Sequence, residues 1–356
     1  MPSREAALAY PTGVIELAVC LQCGFIANTS FDPMAVDYTQ PYEESQEFSP
    51  RFMEFAEGLA DALVDRHDLV GKSVFEVGCG KGSFLSLLAR RGVASAIGVD
   101  PSADERRLPP DVRDTVAVER AFFGEGTGAG TGDLVICRHT LEHIQPVRSF
   151  VTALVAARDA TPDSALFIEV PDTSRILDEQ AFWDVYYEHC SYFTSASLRR
   201  LIGSVSGVQP EVVTAYGDQY LLATALQRGE PAPLQEHSTT LHQMTRDFAA
   251  AVDVKIDRWR DFIESHQDGV VLWGGGSKGT TFLNTIGDIS KGVAAVVDIN
   301  PHLQGTYVAG TGHEIIAPER LLEYRPNTVI VMNPLYVSEI TADLASLGLD
   351  PTVLPV

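Results

Sequence analysis

Positive charge is what this chain has least of. Lysine and arginine number 26 against 48 aspartates and glutamates, a formal net charge of -22 at pH 7. Nucleic acid and anionic membranes recruit basic surfaces, so neither is expected as a partner. Cysteine is scarce as well, five in 356 residues, which excludes a disulfide scaffold. There is no run of 18 or more apolar residues, and no charged n-region followed by an apolar h-region at the start. A soluble, cytoplasmic protein is the expectation. What is there is ordinary for a globular chain, 45% hydrophobic and 21% charged, and long enough for two or three domains.

The organising stretch is Val74-Phe75-Glu76-Val77-Gly78-Cys79-Gly80-Lys81-Gly82-Ser83. It reads as a buried strand, a tight glycine turn and a helix start whose free N–H groups face the turn. Ala96 to Val99 reads as a second strand ending in Asp100, an acid placed to take the two hydroxyls of a ribose. A third strand, Leu134 to Cys137, leads into Arg138-His139-Thr140-Leu141-Glu142-His143. His139 and His143 flank Glu142, but a metal site needs more converging ligands, so none is expected there.

An acid followed by glycines at every second position differs from the dinucleotide spacing G-x-G-x-x-G. It resembles motif I of class I S-adenosylmethionine (SAM) methyltransferases, and the next two markers follow in that family's order. The resemblance implies an α/β fold with a doubly wound sheet and SAM as cofactor. It places Glu76, Gly78, Gly80 and Gly82 by the methionine end, Asp100 on the ribose and His139 beside the methyl donor. Ala121 stands near where an adenine-binding acid is common.

Three parts follow along the chain. Residues 1–36 read as short and irregular, with Cys20-Leu21-Gln22-Cys23-Gly24 as half of a four-ligand zinc knuckle. The other half is missing, and two free thiols are the favoured reading; mass spectrometry of the native N-terminus would reveal an upstream pair. Residues 37–228 form the SAM domain. Tyr42 and Ser45 precede a helix from Pro50 to His67, capped by Ser49, and are candidates to reach the SAM carboxylate or to adjoin the substrate. Glycine and prolines at 229–234 suggest a linker. Residues 229–356 form a smaller Rossmann-like domain, in which Gly274, Gly276 and Gly279 match G-x-G-x-x-G after a strand and Asp298 follows the next one. Thr328 to Asn333 reads as its last strand.

The whole order resembles the sugar C-methyltransferase family, enzymes that methylate a ring carbon of nucleotide-linked deoxysugars in antibiotic pathways. The family's Tyr-x-Glu-His falls on Tyr186-Tyr187-Glu188-His189. The resemblance therefore implies His189 as catalytic base, Tyr186 as donor to an enolate oxygen and Glu188 as an orienting acid. Its implied acceptor is a nucleotide-diphosphate sugar, with Tyr192, Tyr220, Lys278 and Asn284 as candidate contacts. The chain departs from the family in lacking the first zinc cysteine pair. It also carries Gly217-Asp218-Gln219-Tyr220 where a glycine pair is more common.

Overall fold

The computed structural model describes residues 1–36, 46–124, 130–231, 239–266 and 269–356; Tyr42 and Ser45 lie outside them. The first 36 residues are more ordered than expected. They hold α1 (Arg4–Leu8) and two antiparallel strands, β1 (Leu17–Val19) and β2 (Ile26–Asn28). Strands of three residues carry no readable period, and only their partners define them.

Helix α2 (Pro50–His67) begins as expected, with the Phe52 N–H donating to Ser49 Oγ at 3.2 Å. Its buried face is Ala56, Leu59, Ala60, Leu63 and Val64, at helical spacing. The alternating region runs β3 (Ser73–Val77), α3 (Ser83–Ala89), β4 (Ser95–Val99), β5 (Val116–Glu119), β6 (Leu134–Arg138), α4 (Val147–Asp159) and β7 (Ala165–Pro171). Then come α5 (Thr173–Asp178), β8 (Ser191–Tyr192), α6 (Ser195–Ser206), β9 (Glu211–Ala215) and β10 (Tyr220–Leu226). Seven of these strands make one sheet in the order β5-β4-β3-β6-β7-β10-β9, with β10 antiparallel to both neighbours. The order reverses between β3 and β6, and the crevice beyond their carboxyl ends is where such sheets bind ligands.

The C-terminal part holds α7 (Thr239–Ser265), β11 (Val270–Trp273), α8 (Ser277–Ile286), β12 (Val293–Val297), β13 (Ile315–Ile316), α9 (Leu321–Tyr324), β14 (Thr328–Val331), α10 (Val337–Ser346) and β15 (Thr352–Pro355). Its parallel sheet runs β13-β12-β11-β14-β15. The expected last strand is therefore not the last. β15 pairs beyond β14, its short run too weakly patterned to be read alone. At Gly279 a Cβ would lie 2.0 Å from the Gly274 carbonyl oxygen, so α8 can seat on its own turn only with glycine there.

Two features tie the parts together. Ile176, Leu177, Phe182, Trp183 and Val185, which follow β7, share a buried cluster with Leu272 and Ile330 of the C-terminal sheet and Phe282 of α8. The turn Tyr216-Gly217-Asp218-Gln219 docks on the same domain. Gln219 and Asn333 exchange amide hydrogen bonds at 2.8 and 3.2 Å, and the Tyr216 hydroxyl donates to that of Tyr336 at 2.7 Å. The Gly217-Asp218-Gln219 departure noted in the sequence thus lies in an interdomain contact.

Candidate active site

The glycine turn is built as the sequence suggests. Gly78, Gly80 and Gly82 have φ of 76, 54 and 79°, the left-handed region that other residues avoid. A Cβ on Gly78 would fall 1.8 Å from Thr140 Oγ1, so the turn is pressed against the segment after β6. Asp100 anchors the turn, accepting the Gly80 N–H at 3.0 Å and the Ser102 N–H at 2.6 Å on its two oxygens. The second glycine turn repeats the device. Asp298 accepts from Gly275 N–H at 2.7 Å and Asn300 N–H at 2.8 Å.

Glu76 lies at the end of β3, 2% exposed, and its Oε2 has no hydrogen-bond partner among the described residues. Burial raises its carboxyl to about 7, with Arg138 pulling the other way. A buried acid with an orphaned oxygen beside a glycine turn fits the ammonium of SAM, and the Asp100 carboxylate fits its ribose. The fit has a pH consequence. The ammonium needs ionised Glu76, so a proton competes with the ligand below about pH 7. SAM affinity is expected to weaken by up to about tenfold per pH unit below that point. Isothermal titration between pH 5.5 and 8.5 checks this, and Glu76→Gln should bind weakly and without the pH slope.

Behind Glu76 lies a buried charge network that the sequence reading did not anticipate. Arg138 ends β6, stacks its guanidinium 3.9 Å from the Phe84 ring centroid and pairs with Glu169 of β7. His139 stands 3.2 Å from the second Glu169 oxygen, short of hydrogen-bond alignment, and 3.8 Å from Glu142. Burial alone would disfavour the imidazolium, but Glu169 and Glu142 push His139 up to about 9. His139 therefore carries a positive charge at neutral pH. Its ring also meets Tyr220 edge-on at 4.7 Å, and the Tyr220 hydroxyl accepts from Gln46 at 3.3 Å. One signal was available in the sequence: an arginine and a glutamate, each inside an otherwise apolar buried strand, demand partners.

The Tyr-x-Glu-His segment packs against this network, with ligand atoms of Glu142 and His189 within 4.8 Å of one another. His189 is 7% exposed, its ring 4.8 Å from that of His143, 4.4 Å from Tyr186 and 6.3 Å from Tyr192. Burial pulls its imidazole well below the usual histidine range, and His143 adds to this. His143 Nδ1 lies 3.0 Å from the Glu188 carbonyl. Tyr192 donates its hydroxyl to the Tyr186 carbonyl at 3.2 Å, and its strand β8 pairs with β2 through Ile26. The N-terminal residues thus back the catalytic segment: Tyr187 Oη accepts the Asp32 N–H at 2.9 Å, and Phe25 packs on Phe193 at 5.6 Å.

Other expected contacts are committed within the protein. The Tyr186 hydroxyl donates to Asp184 at 3.0 Å. The Lys278 ammonium, expected on a phosphate or sugar, donates to the same carboxylate. Asn284 is exposed along α8, its amide donating to the Thr280 and Ala309 carbonyls at 2.8 and 2.9 Å, a loop-holding role in place of the expected sugar contact. Cys20 and Cys23 form the turn of a knuckle, with Gly24 N–H on the Cys20 carbonyl at 2.8 Å. Among the described residues, the one group of three metal-type ligands lies elsewhere, at Glu142, His143 and His189.

Comparison with known proteins agrees with this geometry. The methyltransferase-domain family matches residues 46–204, and the C-methyltransferase C-terminal domain family matches residues 232–349. The chain is a SAM-dependent C-methyltransferase. The methyltransferase is 26% identical over 303 residues to C-methyltransferase NovU of Streptomyces niveus, covering 79% of this chain and 71% of that protein. A ubiquinone biosynthesis O-methyltransferase of Neisseria meningitidis is 27% identical over 138 residues, 37% of this chain and 54% of that one. Among solved structures, 1,6-didemethyltoxoflavin-N1-methyltransferase of Burkholderia thailandensis is 17% identical, covering 60% of this chain and all of that one at a TM-score of 0.40. No helix among the described residues is long and apolar enough to cross a membrane.

Proposed function

We propose that the methyltransferase alkylates a ring carbon of a nucleotide-linked 4-keto-deoxysugar, with His189 as general base. The carrying observation is the enclosure of His189 between His143, Tyr186 and Tyr192. Carbon is a poor nucleophile, and a keto group acidifies its neighbouring C–H so that an enolate can form. Burial keeps the imidazole neutral at pH 7, the form that accepts a proton, and Asp184 pulls toward the charged form once the proton arrives. Glu188, adjacent in the chain, is assigned to steady that imidazolium. Tyr186 keeps its ring and oxygen in place beside Asp184, and its hydroxyl proton swings from that carboxylate to the enolate oxygen as charge develops. His139, cationic between Glu169 and Glu142, adds positive potential to the same site. SAM, when bound, supplies the electrophilic methyl group. The nucleotide-sugar acceptor is supported by the C-methyltransferase C-terminal match and the similarity to NovU.

The test is incubation with methyl-labelled SAM and a panel of nucleotide-linked 4-keto-6-deoxysugars, followed by mass and carbon NMR analysis. A new methyl on a ring carbon is the expected product. A methyl on oxygen refutes the enolate, and no transfer to any member of the panel refutes the acceptor class.

A further inference from the structure

Asp184 is the most heavily engaged buried acid in the catalytic segment. It is 4% exposed and lies two residues before Tyr186. Three elements converge on its carboxylate. Oδ1 accepts from the Tyr186 hydroxyl at 3.0 Å and from Lys278, the lysine of the second glycine turn. Oδ2 accepts from Arg175 of α5. Burial alone would raise this carboxyl, but Lys278 and Arg175 hold it below the usual carboxylate range. A lone buried carboxylate would cost several kcal/mol, so the two cations are what make its presence tolerable.

The chemistry of the trio decides its use. A carboxylate facing a phenol alone would bind the phenolic proton strongly. With two cations sharing its lone pairs, its hold on that proton is weaker, and it orients the ring without capturing it. The Tyr186 ring in turn packs 4.4 Å from His189. The backbone around Asp184 cannot relax to compensate, because Phe182, Trp183 and Val185 are sealed into the C-terminal core with Phe282 of α8.

We propose that Lys278 and Asp184 are positioning residues for methyl transfer: the C-terminal domain reaches across through Lys278, locks Asp184, and thereby fixes the Tyr186 phenol against the His189 base. The second glycine turn accordingly serves the chemistry directly. A charged side chain of the smaller domain completes a site whose reacting groups belong to the larger one. This inference rests on the reading of Tyr186 and His189 given above.

The test is a double-mutant cycle on the full chain. D184N and K278M are each expected to lower kcat about 10- to 100-fold, with the Kd for SAM and the KM for the sugar changed less than about twofold. In a Tyr186→Phe background the same substitutions should cost less than about twofold, since they act through the hydroxyl already removed. K278R should recover most of the activity. Equal losses in both backgrounds, or a K278M enzyme as active as the parent, overturn the proposal. The acceptor reading fails differently, through absence of transfer by the parent enzyme. In that event 3-fluorotyrosine at position 186 provides the readout: a fluorine resonance that shifts in both D184N and K278M supports the relay, and one unmoved by K278M overturns it.

Discussion

His189→Ala is expected to lower kcat by about 10²- to 10⁴-fold, the usual range for a general base, while SAM still binds. The asymmetry follows from placement. His189 stands with Tyr186, Tyr192 and His143, whereas the groups assigned to SAM, Glu76 and Asp100, lie at the ends of β3 and β4. Stopped assays with saturating SAM and a 4-keto-sugar read kcat, and calorimetry reads the cofactor. A second signature separates a base from a structural histidine. In deuterated water with S-adenosylhomocysteine present, the parent enzyme should exchange the C–H next to the ketone, and His189→Ala should not. Exchange that persists in the variant would reassign proton removal to another group, with His143 the nearest imidazole.

Glu169→Gln should be the most destabilising single change in the methyltransferase half. Glu169 is fully buried and faces both Arg138 and His139. Removing its charge while keeping its shape takes from Arg138 its hydrogen-bonded anion and leaves His139 with Glu142 alone, and breaking a buried pair in this way typically costs about 3–5 kcal/mol. The pH dependence gives an independent check. His139 is raised from 6.5 to about 9 in the folded protein, so its contribution is complete below pH 6.5 and is lost as pH rises through about 9. Glu169 is held down near 2, against its burial, by Arg138 and His139, so its contribution is present above its ordinary value of 4.5 and is lost as pH falls through about 2. Urea unfolding of the parent should therefore show stability declining between pH 6.5 and 9. In Glu169→Gln that decline should flatten, because His139 has lost the larger of its two anions. An unchanged slope would mean that His139 is not cationic in the folded state.

Much of this site could be read directly from the chain, and the reason is local. The strand, the glycine turn and Asp100 lie within one short stretch, the Gly80–Asp100 bond spanning 20 residues, and are joined by a single strand pairing, so spacing alone reports them. Helix α2 was legible for the same reason, since Ser49 and Pro50 act on adjacent backbone. What escaped depended on partners far away. Asp184 looks like one more acid among aromatics until Lys278 arrives from the other domain. Lys278 and Asn284, taken as ligands for a phosphate or sugar, are instead satisfied by Asp184 and by the loop carbonyl of Ala309. Strands β1 and β2 are too short to announce themselves, and their meaning lies in β8, more than a hundred residues later. The Arg138–Glu169 pair joins two strands that each look merely apolar.

The way the catalytic segment is held has a consequence for biosynthesis. Residues 182–193 are braced on one side by β2 and Asp32, made before them, and on the other by Lys278 and Phe282, made after them. A nascent chain that has released only its SAM-binding sheet from the ribosome lacks Lys278, the clamp on Asp184. On the proposed roles, the transfer site is completed only once the C-terminal domain has been made and has folded. Products that stop before Lys278 would carry the glycine turn and Asp100 but leave Asp184 with Arg175 and without its second cation.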